Sequence, residues 1–159
     1  MTMQIVRVNV ASPVGEWGIE GTVHGVTMVR MPHQSAPPTD GPVPRAVSAA
    51  ARQLAQYFAG KRTAFDVHFA DVAATAFQLD CWEALRDIPF GHVATYADIG
   101  AAIGRPLAAR AVGNANHANP WPILLPCHRV VASTGLGGYG GGLDVKRYLL
   151  ALEGVTYAK

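Results

Sequence analysis

Two cysteines stand in very different company in this 159-residue chain. Cys127 lies in Pro126-Cys127-His128-Arg129, between an apolar run and a glycine-rich segment. A thiolate is the nucleophilic form of cysteine, and a neighbouring His or Arg can lower a thiol pKa from about 8.5 into the ~3.5–7.5 range. The pattern therefore offers a cysteine nucleophile with a histidine base and a depressed thiol pKa. Side chains of adjacent residues diverge, so His128 would act through a water. It would also need a carboxylate or a carbonyl to orient it. The same spacing admits a packed cysteine beside an incidental histidine. Cys81, next to Trp82 on the apolar face of a helical pattern, reads as a small buried hydrophobe.

Other motifs carry less. Gly135-Leu136-Gly137-Gly138-Tyr139-Gly140 fits G-x-G-x-x-G. The dinucleotide fingerprint needs a βαβ unit of roughly 30 residues and an acidic residue about 20 positions on. Only one helical pattern follows here, so the segment reads as a loop whose backbone passes close to something. No P-loop lysine follows it. There is no C-x-x-C pair, and His117, Cys127 and His128 are a weak ligand set. Neither a metal nor a cofactor is expected.

The elements that must position Cys127 divide into two patterns. Gln4–Val10, Glu16–Thr22 and Val26–Met31 read as short strands, and the turns between them favour antiparallel neighbours. Residues 32–44 hold five prolines, an irregular connection. Val43, Ala46/Val47, Ala50/Ala51, Leu54 and Tyr57/Phe58 recur at helical spacing, with Pro44 suited to a first turn and Gly60 to the stop. Thr63–Ala70 alternates and predicts a further strand. From about residue 71 the pattern is helical. Thr75–Ile88 is one helix, closed by Pro89. Thr95–Ile103 is a short helix with a Thr95/Asp98 capping box, and Leu107–His117 is a second one beyond Gly104-Arg105-Pro106. Two short helices on a tight turn suit either a helix-turn-helix or an ordinary αα-hairpin. A last helix runs from Asp144, its expected N-cap, to about Glu153. The reading is a two-domain α/β (α+β) protein, divided 1–70 and 71–159.

Composition limits the setting. Half the residues are hydrophobic, the formal net charge is +2, and no polybasic tract or acidic tail appears. Bulk charge alone therefore argues weakly against nucleic acid. Two cysteines make no disulfide framework, no run approaches the ~20 apolar residues of a membrane span, and residues 1–10 lack the apolar core of a secretory leader. A reducing, cytoplasmic location without membrane association is expected.

Taken together, several motifs resemble one family. Pro126-Cys127-His128-Arg129-Val130-Val131 resembles the signature of the O6-alkylguanine-DNA alkyltransferases. Ala108-Ala109-Arg110-Ala111-Val112-Gly113 and Asn119-Pro120 precede it as in that family. Gly138-Tyr139-Gly140-Gly141-Gly142 and Leu149-Leu150-Ala151-Leu152-Glu153 follow it. Upstream, Phe77-Gln78 with Trp82, Ile88-Pro89-Phe90-Gly91 and Thr95-Tyr96 are similar too. The first half is similar more loosely, through Ser12-Pro13-Val14-Gly15 and Leu54–Gly60.

The resemblance implies an N-terminal ribonuclease H-like α/β domain and a C-terminal, mostly helical, winged helix-turn-helix domain. It implies direct DNA repair: irreversible, single-turnover transfer of the alkyl group of O6-alkylguanine, and of O4-alkylthymine, in duplex DNA after base flipping. Cys127 would be the acceptor, with His128 taking its proton through water and Glu153 holding His128. Asn119 would brace the region and Tyr96 would assist the departing guanine. Arg110 would fill the stack, while Ala109, Ala111, Gly113, Asn116 and Ser133 would meet DNA. Val130, Tyr139 and Gly140 would line the base pocket. The partner implied is double-stranded DNA bearing O6-alkylguanine, bound by a monomer or by monomers acting cooperatively, with no cofactor.

Gly140 stands where a serine is often found, and Asn116 where apolar side chains occur. The four-cysteine zinc module of some relatives is missing. Cys127 separates the chain from alkyltransferase-like proteins that lack the reactive cysteine. Two rival readings are a helix-turn-helix transcription factor with an incidental or redox-sensing cysteine, and a cysteine hydrolase using Cys127 and His128.

Overall fold

A computed structural model describes residues 4–155, and the chain divides into two compact units, Met1–Ala73 and Ala74–Lys159. The first contains β1 (Val6–Ser12), β2 (Gly15–Thr22) and β3 (Gly25–Arg30), an antiparallel meander in the order β1-β2-β3. Val8 faces Ile19, and Ile19 faces Val29, so apolar residues line up across all three strands. Helix α1 (Arg45–Phe58) packs on the sheet through Val47, Ala50, Leu54 and Tyr57, one stripe of its surface. Each large apolar side chain buried in this way stabilises by about 1.5–3 kcal/mol. Glu20 is buried too, and it accepts hydrogen bonds from Arg7 Nε at 2.7 Å and Arg30 Nε at 3.1 Å.

The strand expected at Thr63–Ala70 does not form. Its alternation is real: Phe65, Val67 and Phe69 are half-buried and their neighbours are exposed. Yet the segment makes a single parallel bridge, Phe69 to Val26, with Val26 N–H on His68 O and Ala70 N–H on Val26 O. Further along, the α1 side chain Gln53 takes the place of a neighbouring strand. Its amide donates to Asp66 O at 2.9 Å and accepts from Asp66 N at 2.8 Å. Pro44 is the N-cap of α1 rather than a first-turn residue, and Gly60 lies just past the helix end with φ +74°.

The second unit contains α2 (Ala76–Leu85), β4 (Ala94–Thr95), α3 (Tyr96–Ala102), α4 (Ala109–His117), β5 (Val130–Val131) and α5 (Leu143–Leu152). Helices α2, α3 and α4 pack together around Trp82. Its indole N–H donates to Ala115 O at 2.8 Å, and its ring meets Trp121 edge to face at 6.0 Å. Thr75 caps α2 and Thr95 caps α3 by the same reciprocal device, with Gln78 and Asp98 answering. In the turn after α3, Arg105 N–H bonds Gly100 O at 2.7 Å, and a Cβ on Gly100 would meet Arg105 O at 2.7 Å. Only glycine lets the chain fold back that closely.

Four boundaries differ from expectation. Helix α2 stops at Leu85, three residues before Ile88, and Thr75 is its cap. Helix α4 starts at Ala109, leaving Leu107 fully exposed outside it. The N-cap of α5 is Gly142, at φ +97°, while Asp144 sits in the first turn, where a carboxylate favours the helix dipole. The parallel pairing of β4 with β5, Ala94 to Val130 and Thr95 to Val131, was not anticipated, because two-residue strands are too short to show a period. It ties the cap of α3 to the segment that follows Cys127.

Replacing Gln53 with Leu should cost about 1–3 kcal/mol, because both polar groups of Asp66 lose their partner. An unchanged urea-unfolding midpoint would show that the amide does not substitute for a strand.

Candidate active site

Residues 121–130 are buried throughout. Such a stretch must satisfy its backbone internally, and Asn119 begins that task at the exit of α4. Its Nδ2 donates to Leu125 O at 2.9 Å and its Oδ1 accepts from Trp121 N at 3.0 Å. Between them the chain turns at Ile123, a β-branched residue held at φ +71°. A non-glycine residue in that region persists where its surroundings over-determine it. The chain then enters a 3-10 turn, Cys127–Arg129, with Cys127 N–H on Leu125 O at 2.8 Å and Val130 N–H on Cys127 O.

The two residues after Cys127 converge on one carboxylate. Glu153, at the C-terminal end of α5, is buried and accepts from Arg129 Nε at 2.7 Å and Nη2 at 3.1 Å. His128 Nε2 lies 2.6 Å from its Oε2. The third guanidinium nitrogen donates to Ile88 O at 2.7 Å. With Arg129 keeping the carboxylate ionised, Nε2 carries the proton and Nδ1 is the acceptor. Nδ1 is buried with no hydrogen-bond partner in the protein. Burial holds the His128 pKa below its ordinary value, against the opposing pull of Glu153. The ring is therefore a neutral base at pH 7.

The thiol departs from expectation. Its pKa is raised, not lowered, because burial outweighs every favourable contact. A hydrogen bond from the Asn119 side chain, the charge of Lys146 and backbone N–H groups only moderate the rise. Sequence adjacency suggested that Arg129 and His128 would depress it. In the fold, Arg129 is spent on Glu153 and His128 is uncharged. Cys127 rests as a thiol, and its proton must leave during the reaction.

The glycine-rich loop approaches the site at Gly138. Tyr96, the first residue of α3, accepts from Gly138 N–H at 3.2 Å through its hydroxyl oxygen. Gly137, at φ +77°, has no room for a side chain: a Cβ would lie 2.8 Å from the Tyr96 hydroxyl. The G-x-G-x-x-G match thus marks a close backbone approach, and one helix, α5, follows it. From the other side, Lys146 Nζ donates to Gly138 O at 2.9 Å and to Val130 O at 2.6 Å.

The structure thus gathers Cys127, His128, Glu153, Asn119 and Val130 into one buried cluster, with Tyr96 linked to it through the loop. Arg110 and Ala111 are exposed on α4, with Ala109 and Gly113 half-buried beside them. Gly113 faces the Tyr96 ring, 3.7 Å from where its Cβ would be. Asn116, one turn on, has both amide atoms buried without a partner. Ser133 and Gly140 are exposed and Tyr139 is half-buried, none in a recorded contact with Cys127. Among the described residues, no group of three or more His, Cys, Asp or Glu is placed to hold a metal ion.

Two members of the cluster escaped sequence reasoning. Arg129 was noted only as a neighbour of Cys127. Lys146 was passed over, although a lysine among Val145, Leu149 and Leu150 on the buried stripe of a helix is a charge that must find partners.

Comparisons with known proteins agree with this geometry. Residues 76–155 match the family described as 6-O-methylguanine DNA methyltransferase, DNA binding domain. A methylated-DNA–protein-cysteine methyltransferase from Mycolicibacterium paratuberculosis is 46% identical over 150 residues, covering 91% of this chain and 89% of that protein. The chain belongs to the methylated-DNA–protein-cysteine methyltransferase family. The crystal structure of Mycobacterium tuberculosis OGT in complex with DNA superposes with a TM-score of 0.82 at 45% identity, covering 93% of this chain and 92% of that one. An O6-methylguanine-DNA methyltransferase structure from Pyrococcus kodakaraensis shares the fold, with a TM-score of 0.72 at 24% identity over 96% of this chain and 100% of that one. The segment matching the methyltransferase family includes every residue of the Cys127 cluster.

Two outcomes test the cluster. Glu153→Gln strands a buried guanidinium and should cost about 3–5 kcal/mol in denaturant unfolding. Acid should also destabilise the protein through His128. Its folded pKa lies below the ordinary 6.5, so the unfolded chain binds a proton that the folded chain refuses. The contribution is complete above 6.5 and is lost as pH falls below it. His128→Gln should therefore lose less Tm than wild type between pH 7 and 5; parallel Tm–pH curves would refute the assignment.

Proposed function

We propose that this protein repairs alkylated DNA directly, moving the alkyl group of O6-alkylguanine, and of O4-alkylthymine, onto Cys127 Sγ in a single turnover. The observation that carries this reading is the buried Cys127–His128–Glu153 cluster with one imidazole nitrogen left open. Family membership supports it, as does the DNA complex of the Mycobacterium tuberculosis relative.

The chemistry follows from the geometry. Cys127 is only 5% exposed, so no base within a duplex can reach it. The base must leave the stack, at a cost of a few kcal/mol. Arg110, exposed on α4, is suited to fill the space left behind, and the small residues Ala109, Ala111 and Gly113 let the helix approach a groove closely. Asn116 and Ser133 complete the proposed DNA-facing set. The thiol proton then passes through a water to His128 Nδ1, and Glu153 stabilises the imidazolium that forms. The thiolate attacks the alkyl carbon; the S–C bond forms as the C–O6 bond breaks. Guanine leaves as a neutral base by taking a proton. Tyr96 is placed to assist, because the Gly138 N–H donated to its oxygen leaves its own O–H free to donate and makes it more acidic. Val130, Tyr139 and Gly140 supply the pocket edge, with backbone groups where a serine hydroxyl is often found. The product is a thioether, which has no leaving path, so the protein reacts once.

We read the first unit as a ribonuclease H-like domain, on its meander and packed helix. The second we read as a winged helix-turn-helix, on the tight α3–α4 turn and the short β4–β5 pair. The protein acts as a monomer on duplex DNA, or cooperatively along it.

Incubation with an O6-methylguanine duplex should add one methyl group to the Cys127 peptide, and Cys127→Ala should add none. Tight binding without methyl transfer would instead favour a lesion sensor, and repeated turnover on an ester a hydrolase. Arg110→Ala should slow duplex repair about tenfold or more, equivalent to ~1.4 kcal/mol of lost flipping assistance, and leave reaction with free O6-benzylguanine nearly unchanged. Equal losses on both substrates would remove Arg110 from that role.

A further inference from the structure

Lys146 is fully buried on α5, and an ammonium group is rarely placed there without a task. Its partners are two backbone carbonyls that no secondary-structure rule brings together. One is Val130 O, at 2.6 Å, on the residue that closes the turn carrying Cys127. The other is Gly138 O, at 2.9 Å, in the glycine-rich loop whose N–H side is held by Tyr96. Gly138 is thus gripped on both faces, by a phenol and by an ammonium. Neither carbonyl is a full anion, so Lys146 keeps most of its positive charge unneutralised. Glu153, the carboxylate in this cluster, is committed to His128 and Arg129.

We propose that Lys146 is a positioning residue for the alkyl transfer, tying the glycine-rich loop to the nucleophile turn and holding a positive charge against Cys127 Sγ. This goes beyond the reading above, but its charge half stands without any DNA substrate. A buried thiolate needs a nearby cation, because burial alone disfavours it. Neither neighbour in the 3-10 turn supplies one: His128 rests neutral, and Arg129 is paired. Lys146 fills that gap and reaches the thiol from a different helix. The two groups each favour the charged form of the other, and burial pulls the lysine down to about 8, so it is still charged at pH 7. The titratable and charged groups around it are Cys127, His128 and Arg129 on the turn, Glu153 on its own helix and Tyr96 through Gly138. The cation also disfavours a charged His128 at rest, which keeps the base free to accept the thiol proton.

The test uses iodoacetamide, with modification of the Cys127 peptide followed by mass spectrometry from pH 6 to 10. In Lys146→Met and Lys146→Gln the reaction midpoint should rise by about one unit or more, with roughly tenfold slower modification at pH 7.5. Lys146→Arg should restore much of it. Folded Met and Gln variants with the wild-type midpoint would overturn the proposal, whatever their behaviour on alkylated DNA. A second measurement needs no Lys146 variant. The Lys146 side chain, followed by 13Cε NMR, should titrate at lower pH once Cys127 is a methyl thioether, because the anion it faces can no longer form. An unchanged titration would equally overturn it.

Discussion

Everything at the site depends on one buried carboxylate. Glu153 is desolvated at the end of α5, and a lone carboxylate there would protonate rather than stay charged. Arg129 prevents this with two hydrogen bonds, and the carboxylate in turn fixes which nitrogen of His128 bears the proton. Through that one choice the open Nδ1 is defined. The arginine has a further anchor on Ile88 O, so the segment after α2 is joined to the same cluster. Removal of any one member would leave another charged and buried, which is why the group behaves as a unit.

The same burial sets a problem for the nucleophile. Low dielectric around Cys127 protects it from unwanted reactions but raises the cost of its thiolate. The cluster offers three remedies of different kinds: a hydrogen bond from Asn119, the nearby charge of Lys146, and a neutral base in His128. None makes a standing thiolate. A resting thiol that ionises only when a base fills the pocket suits a protein that can react once, since a permanently ionised cysteine would be consumed by any electrophile.

Position is supplied by short, unremarkable pieces of backbone. The two residue pairs linking β4 and β5 place the cap of α3, and hence Tyr96, beside the chain that leaves Cys127. Asn119 and the left-handed turn at Ile123 aim the preceding segment. Gly137 and Gly138 then close on Tyr96, at a distance that only a residue without a side chain permits. Rigid helices carry the DNA-facing residues, while the chemistry sits on loops that hydrogen bonds have made equally rigid.

Much of this could be read from the residues alone. The meander, α1, and the capped start of α3 follow from alternation, helical spacing and the Thr95/Asp98 box, all local physics. The motif around Cys127, with Arg110, Tyr96 and Glu153, carried the family resemblance. Three things could not be read that way. Thr63–Ala70 had the pattern of a strand, but whether its backbone pairs with a strand or with Gln53 depends on what lies beside it. The direction of the Cys127 pKa shift depends on burial and on where Arg129 points, neither of which adjacency in sequence specifies. Lys146 joined the site only when α5 was laid against the Cys127 turn. Residue type and spacing determine which groups are available and how the chain turns locally. Only tertiary packing decides which of those groups are kept from water and which charges they must then share.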